Sequence, residues 1–348
     1  MRIFTYPSQD AAVFQAFLSR NTGLDEILEV GKSAATSSIP SSLNATRFLI
    51  QFDLSYISTS YANGNIPLNA NHFLNLRVAY ASGLQNNQSL YVYMVSQSWT
   101  EGTGYLAQDL YNPNDGVTWT QRDISGNAWP SGTGPTYVND GFAPTASITF
   151  AYPPSDIRLD VTSFVNTWIS SSYENDGFLF KLSDADEGNN TNTVSFKLYS
   201  NQTHTIYRPT LETMWPVQTF STGNLNPIPN FYIYPYIRNL MPVYYSGSFA
   251  RIDVAVRNAY PIKTFDTIFE FVPQYYLPTS SYYSITDAQT NSTVIPFDTG
   301  SLISCDISSS FFDLNFQNMY TNRLYNILIR VDMNGNSMVF NTSQFRIR

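Results

Sequence analysis

The stretch over residues 156–215 constrains the fold most, because its apolar residues change from the period of a strand to that of a helix and back. The first ones alternate with polar residues, as in a half-buried strand; they are Ile157, Leu159 and Val161. The next ones recur at helical spacing, so one short helix can bury them together; they are Val161, Phe164, Val165 and Trp168. The turn residues Asn175-Asp176-Gly177 end this helix, and GFLFKLS and VSFKLYSN resume the strand pattern. The stretch predicts a β-sheet with one short helix.

This order of motifs resembles the DNRLRE family of disaggregatase-type, carbohydrate-binding β-sandwich domains. Within the stretch, the resemblance rests on Asp160, Val161, Thr162, Val165, Trp168, Gly177, Phe196, Ser200, Arg208, Pro209 and Leu211. Earlier in the chain it rests on short pieces in the family's order: Asp10-Ala11, Asn21-Thr22-Gly23, Leu28 with Val30 and Gly31, RFLIQFDLSYI, SWTEGTGY, GVTWTQRD and AWPSGTG. The resemblance covers residues 1–216 and implies a β-sandwich there, in which most of the matched residues are scaffold.

The rest of the chain also has the spacing of an all-β protein, with strand-like runs separated by turn residues. We expect a jelly-roll-like β-sandwich with one short helix over residues 1–216 and an immunoglobulin-like β-sandwich over residues 231–348. The proline-rich residues 217–230 are interpreted as a linker. RFLIQFDLSYI is predicted to be a long central strand, and the alternating residues around Asn334-Gly335 predict a C-terminal hairpin.

Composition narrows the classes of function. The net charge is −8 and no basic run is present, so we expect no nucleic-acid partner. The single cysteine, Cys305, excludes a disulfide framework and is expected to be buried. No apolar run approaches ~18 residues, and the N-terminal sequence is strand-like, so we expect neither a membrane partner nor a signal peptide. A Tyr- and Asn-rich β protein without disulfides, made in the host cytoplasm, is typical of bacteriophage virion proteins.

The loop DADEGNN is the first candidate metal site. Its oxygen ligands would suit a structural Ca²⁺ ion; they are Asp184, Asp186, Glu187 and Asn189. The spacing is not that of an EF-hand, and a solvated acidic turn remains the alternative interpretation. A second, weaker candidate combines Asp10 with Asp25 and Glu26.

A long excursion over residues 99–147 is rich in aromatic residues and glycine. Sugar rings stack on aromatic side chains, so the excursion is a candidate contact for a glycan or a protein partner. The residues concerned are Trp99, Tyr105, Trp119, Arg122, Trp129 and Tyr137. Because the tryptophans coincide with the motifs of the resembled family, loop-packing scaffold remains the alternative interpretation.

No catalytic motif is recognisable in the sequence. Carboxylates that could pair as acid and base are present, but nothing ranks one pair above another; they include Glu101, Asp109, Asp115, Glu174 and Asp176. The aromatic residues 231–245 are a candidate docking strand, or else the first strands of the second sandwich.

We therefore expect a non-enzymatic structural component of a bacteriophage virion, in a neck, tail, ring or capsid-decoration position. Its partners would be copies of itself and other virion proteins. The alternative is a carbohydrate-binding module that attaches to a polysaccharide or a host surface glycan. We expect no cofactor apart from the calcium ion considered above.

Overall fold

The computed structural model describes residues 1–33, 44–84, 88–107, 115–130, 132–150, 154–189, 193–260, 274–317 and 319–348. The chain divides into two compact units. The first is Thr5–Glu212, and the second combines Met1–Phe4 with Thr213–Arg348. The chain is all-β, and each unit is built from β-sheets with a buried core.

Twelve strands lie between the start of the described chain and residue 214. They are β1 (Arg2–Thr5), β2 (Pro7–Phe14), β3 (Ile27–Lys32), β4 (Ala45–Phe52), β5 (Asn71–Leu76), β6 (Val78–Ser82), β7 (Gln88–Met94), β8 (Thr145–Phe150), β9 (Ile157–Asp160), β10 (Phe178–Leu182), β11 (Val194–Tyr199) and β12 (Thr210–Met214). The boundaries between the two units fall within the first and the last of them, β1 and β12. The helices are α1 (Ser55–Ala62), α2 (Thr162–Ile169) and α3 (Asp184–Gly188).

These strands form two sheets. One has the order β1-β12-β5-β9, and the other has the order β6-β11-β3-β4-β10-β7-β8, with β2 also paired to β4. The predicted central strand is β4, in which Phe48, Leu49 and Ile50 are fully buried. Phe48 stacks on Phe180 of β10, with ring centroids 4.4 Å apart. Strand β4 therefore lies at the centre of the first core.

The predicted strand over residues 47–57 is too long. Strand β4 ends at Phe52, and the carboxylate of Asp53 accepts a hydrogen bond from the Ser55 backbone N–H at 2.9 Å. This contact turns the chain into α1, which buries Ile57 on its inner face. The prediction of one short helix was therefore incomplete, because α1 and α3 accompany α2.

Helix α2 confirms the change of period in the sequence. It buries Phe164, Val165 and Trp168, and Trp168 meets the ring of Phe178 edge-on at 4.8 Å. The next strand requires a glycine at position 177. Its φ is +89°, and an added Cβ would lie 2.5 Å from the Ile50 carbonyl oxygen.

The described residues of the second unit form eleven further strands. They are β13 (Asn226–Pro227), β14 (Ile233–Ile237), β15 (Val243–Tyr244), β16 (Phe249–Asn258), β17 (Tyr275–Tyr276), β18 (Ser281–Asp287), β19 (Thr293–Ile295), β20 (Ser304–Cys305), β21 (Ser310–Asn315), β22 (Leu324–Met333) and β23 (Asn336–Ile347). One sheet has the order β13-β17-β16-β21-β20 with β14 paired to β16, and the other has the order β15-β23-β22-β18-β19.

The two sheets of the second unit share one apolar core. It joins Ile252 and Phe312 of the first sheet to Ile327 and Phe345 of the second. The ring of Tyr283 stacks on Phe312 at 4.2 Å. The predicted hairpin is β22–β23, in which Asn334 and Gly335 both have positive φ.

Residues 217–230 are not a free linker. Ile228 belongs to the core of the second unit. The side chain of Gln218 donates to the Ile303 carbonyl at 2.9 Å, and Phe220 forms a parallel bridge with Cys305. Cys305 is buried, as predicted. A proline-rich composition indicates irregular backbone, but it does not show whether that backbone packs on a neighbouring core.

Candidate functional site

The three tryptophans of the excursion are buried, which contradicts their prediction as glycan contacts. Trp99, Trp119 and Trp129 are only 5%, 3% and 1% exposed and belong to one apolar cluster. The indole N–H of Trp99 donates to the Asp176 carbonyl at 2.9 Å, and that of Trp129 donates to the Thr118 carbonyl at 3.1 Å. A sugar ring needs an open aromatic face, so these residues are scaffold.

Asn21 attaches the excursion to the opening of the first unit. Its side-chain amide donates to the carbonyls of Glu101 and Val117 at 2.7 and 2.8 Å. Its side-chain oxygen accepts from the Gly104 N–H at 2.7 Å. The backbone at Gly116 passes so close to that at Gly102 that a Cβ added to Gly116 would lie 2.4 Å from the Gly102 Cα atom. In the sequence Asn21 is only part of the motif Asn21-Thr22-Gly23, which gives no sign that its side chain holds the excursion.

The other three predicted contacts have different surroundings. Arg122 donates to the Ser98 carbonyl at 2.8 Å, which holds its guanidinium against the loop. The ring of Tyr137 stacks on Tyr93 at 4.1 Å. Tyr105 is 37% exposed and is the most accessible of the six predicted residues. The structure therefore does not assemble the six into one aromatic platform.

The predicted acidic loop is the short helix α3. The Ser183 hydroxyl accepts from the Asp186 N–H at 3.0 Å and donates to the Asp186 carboxylate. Glu187 is buried and forms an ion pair with Arg47 at 2.8 Å. Its carboxylate lies 3.5 Å from the Lys181 ammonium, which also pairs with Asp184. The backbone N–H of Asn189 donates to the Asp186 carbonyl at 3.2 Å.

These cations compete with a metal ion for the same oxygens. Lys32 and Lys181 are both 2% exposed, and Lys32 donates to the backbone carbonyl of Glu187. Burial lowers the pKa of Lys32, and the charge of Glu187 opposes that shift. Within the described residues, no group of three or more His, Cys, Asp or Glu side chains is arranged to hold a metal. The placement of Asp184, Asp186, Glu187 and Asn189 therefore does not support the calcium prediction.

Asp10 and Glu101 are two neighbouring carboxyl groups inside the first unit. The Asp10 backbone N–H donates to Glu101 Oε1 at 3.0 Å, and Asp10 Oδ2 accepts from the Asn201 N–H at 2.6 Å. Burial raises the pKa of Asp10 to about 8, and the charge of Glu101 adds to this shift. Burial also raises the pKa of Glu101. Burial therefore disfavours the charged form of both carboxyl groups.

Among the described residues, the other candidate carboxylates have separate surroundings from this pair. Asp115 accepts from the Thr103 N–H at 3.0 Å and thereby closes a loop. Burial raises the pKa of Asp176, and the charge of Glu174 adds to that shift. Asp109 lies outside the described residues.

The second unit carries an exposed aromatic surface, which we call the tyrosine face. Its tyrosines are Tyr232, Tyr234 and Tyr236, which are 72%, 47% and 37% exposed. Tyr234 lies opposite Arg257 of β16, whose guanidinium lies 5.0 Å from the Tyr234 ring centroid. Phe249, at the other end of β16, is 56% exposed. Within the candidate docking segment, Ile233–Ile237 form β14, whose alternate side chains point outward, and Tyr232 directly precedes this strand.

No family model matches the chain, and no curated protein matches it. Among solved structures, a crystal structure of the Bacteroides uniformis beta-glucuronidase aligns with 99% of this chain at 9% identity and a TM-score of 0.22. The aligned part is 32% of that protein, so the chain spans about a third of its length. At this TM-score the similarity carries no argument about fold or function.

Among the described residues, no helix has the length and apolar character needed to cross a lipid bilayer.

Proposed function

We propose that this protein is a non-enzymatic structural component that works through protein–protein assembly, with copies of itself and with other proteins of a bacteriophage particle. The observation that carries the proposal is the tyrosine face. The DNRLRE-like part of the chain serves as a scaffold in this proposal. The composition also supports it, because Tyr and Phe are abundant and charged residues are only 13%.

The tyrosine face has the composition of a protein interface. Tyr and Arg are enriched where binding energy concentrates, because both bury a large area and still hydrogen-bond at their tips. Arg257 lies beside Tyr234, and elsewhere on the same sheet the Arg251 guanidinium lies 3.7 Å from the Phe311 ring centroid, so arginine accompanies an aromatic ring at both places. These side chains stand on paired strands, so the backbone that carries them loses little further conformational entropy on binding.

Strand β14 presents a face rather than an edge for docking. Pro235 lies at its centre and has no N–H to donate to a further strand. Ile233 and Pro235 point into the core, whereas Tyr234 and Tyr236 point outward. Contact through this strand is therefore expected to use side chains.

The experiment is sedimentation velocity over a concentration series, comparing the wild-type protein with the Tyr232→Ser/Tyr234→Ser double variant. We expect the wild-type protein to associate, and the double variant to associate ~tenfold or more weakly, because each lost hot-spot side chain costs more than about 1 kcal/mol. Tyr80→Ser is the control, because Tyr80 is also exposed but lies in the first unit. A wild-type monomer at all concentrations, or undiminished association of the double variant, would contradict the proposal.

A further inference from the structure

Strand β23 leaves part of one sheet edge without a partner strand among the residues that the structure describes. Within the described residues it pairs with β22 along its length, but with β15 only at Arg346 and Ile347. Strand β14 lies near β23 without being paired to it. The hairpin end of β23 remains accessible, since every residue from Asn336 to Val339 is exposed. In the described part of the chain, no strand pairs with the outer backbone groups of this segment.

The other outer strands of the second unit are protected in the ways that proteins usually protect sheet edges. Strands β15, β19 and β20 have only two or three residues, and β13 and β14 contain proline. The open part of β23 reads NSMVFNTSQ and has neither a charge nor a proline. Two of its apolar side chains, Met338 and Val339, are 43% and 51% exposed. Such an edge in a natural protein favours a further strand as its partner.

The hairpin geometry fixes which backbone groups are free. The two-residue turn pairs Met333 with Asn336, and Val331 with Met338. Those residues direct their backbone groups toward β22, so Ser337, Val339 and Asn341 direct theirs outward. The regular edge ends shortly afterwards, where the β22–β23 register shifts between Ile327 and Leu328. The free edge is thus short and centred on Val339.

We propose that this edge pairs with the same edge of a second copy of the chain, antiparallel and across a two-fold axis at Val339. This inference rests on the proposed assembly function and names one of its contacts. With this centre, Val339 lies opposite Val339 of the other copy, and Ser337 lies opposite Asn341. All three outward residues then meet outward residues, which permits about six backbone hydrogen bonds.

The chemistry of the side chains favours a second copy over another partner. The same register places Met338 opposite Phe340, so the exposed thioether covers an aromatic ring that is already partly buried in the core. No like charges meet, because the paired segment is uncharged. The nearest charges on β22 are already paired, with Arg330 Nε lying 3.3 Å from the Asp332 carboxylate.

The first test is the substitution Val339→Lys, measured by sedimentation velocity. It places two ammonium groups opposite each other across the axis, and we expect association to weaken ~tenfold or more. The matched control is Val217→Lys, because Val217 lies in the same unit and is 41% exposed. Association of Val339→Lys that equals that of the wild-type protein would overturn the proposal.

The second test examines the register. Residues that face each other in a hydrogen-bonded antiparallel pair have Cα atoms about 5.5 Å apart, within the range of a disulfide. We expect Val339→Cys to form a covalent dimer under mild oxidation, seen by non-reducing electrophoresis, and Val217→Cys not to form one. The native Cys305 is buried and does not interfere. Equal cross-linking of the two variants, or none in Val339→Cys, would overturn the register.

The outcomes separate this inference from the proposed function. If the tyrosine double variant loses association while Val339→Lys retains it, the assembly function stands and the β23 contact is wrong. If the wild-type protein stays monomeric and Val339→Cys forms no dimer, both are wrong.

Discussion

The guanidinium of Arg2 lies 2.6 Å from both carboxylate oxygens of Asp298, a residue 296 positions further along the chain. Arg2 is only 4% exposed, and its Nη2 also lies 3.3 Å from the Met214 sulfur. All three residues belong to the second unit. The first residues of the chain therefore complete the fold of the C-terminal sandwich, although sequence analysis assigned them to the N-terminal one.

The substitution Asp298→Asn is expected to lower the free energy of unfolding by ~3–5 kcal/mol, because it leaves the buried Arg2 charge without its carboxylate. The measurement is urea denaturation. Asp156→Asn is the control, since the Arg77–Asp156 pair is 36% and 45% exposed and should contribute no more than ~1 kcal/mol. If both variants lost a similar amount of unfolding free energy, the buried Arg2–Asp298 pair would stabilise the fold no more than an exposed ion pair does.

Glu187→Gln should destabilise the first unit by ~3–5 kcal/mol, since it breaks the buried Arg47 ion pair and removes one of the two carboxylates beside the buried Lys181 ammonium. Asp184→Asn serves as the control, because the Asp184 side chain is 80% exposed and its loss should cost no more than ~1 kcal/mol. Denaturation of both variants measures the difference. An equal loss of unfolding free energy in the two variants would mean that burial of Glu187 does not determine how much it stabilises the fold.

Chelation tests the calcium prediction. We expect the same melting temperature with and without EDTA, because Lys181 and Arg47 already pair with the carboxylates of α3 and Lys32 occupies the Glu187 backbone carbonyl. Differential scanning fluorimetry of the purified chain is sufficient. A lower melting temperature in EDTA, restored by added Ca²⁺, would reinstate the predicted ion.

Asp10 should make the first unit less stable as the pH rises. Its pKa is about 8 in the folded chain and about 4 in an unfolded one. Between these values the folded state binds more protons, so the free energy of unfolding falls from about pH 4 to about pH 8. Asp10→Asn should weaken this dependence, measured by thermal melts at pH 5 and pH 8. The exposed Glu174→Gln is the control, and an unchanged slope in Asp10→Asn would refute the account.

Trp129→Ala should lower the free energy of unfolding by ~3–5 kcal/mol, because the ring is 1% exposed within the apolar cluster. Tyr105→Ala should cost far less. If Trp129 instead contacts a glycan, its substitution would reduce retention on a polysaccharide column while leaving the melting temperature unchanged. Measuring both quantities on both variants distinguishes a scaffold from a binding residue.

Periodicity and turn chemistry predicted those elements whose signals are local. Helix α2 follows from the spacing of Phe164, Val165 and Trp168, and the β22–β23 hairpin follows from Asn334-Gly335. Helix α1 was missed because one side-chain contact, from Asp53 to the Ser55 backbone, overrides an apparently continuous strand pattern.

The predictions of a metal loop and of exposed aromatic rings failed because contacts between residues distant in sequence decide both. The run DADEGNN suggests a metal loop only until Arg47 and Lys32, far away in sequence, are placed beside Glu187. The excursion suggests exposed aromatic rings, because a Gly-rich loop has no periodicity that reveals which way Trp119 and Trp129 point. Their burial depends on close approaches of the backbone, such as Gly116 to Gly102, that only the folded chain reveals.

The central claim is that this protein acts by assembling. The most direct measurement is the solution mass of the purified wild-type chain, by light scattering after size exclusion, over a wide range of loading concentrations. The account predicts a mass above that of the monomer, rising with concentration to a discrete dimer or a larger symmetric oligomer. A monomer mass at every concentration would contradict it.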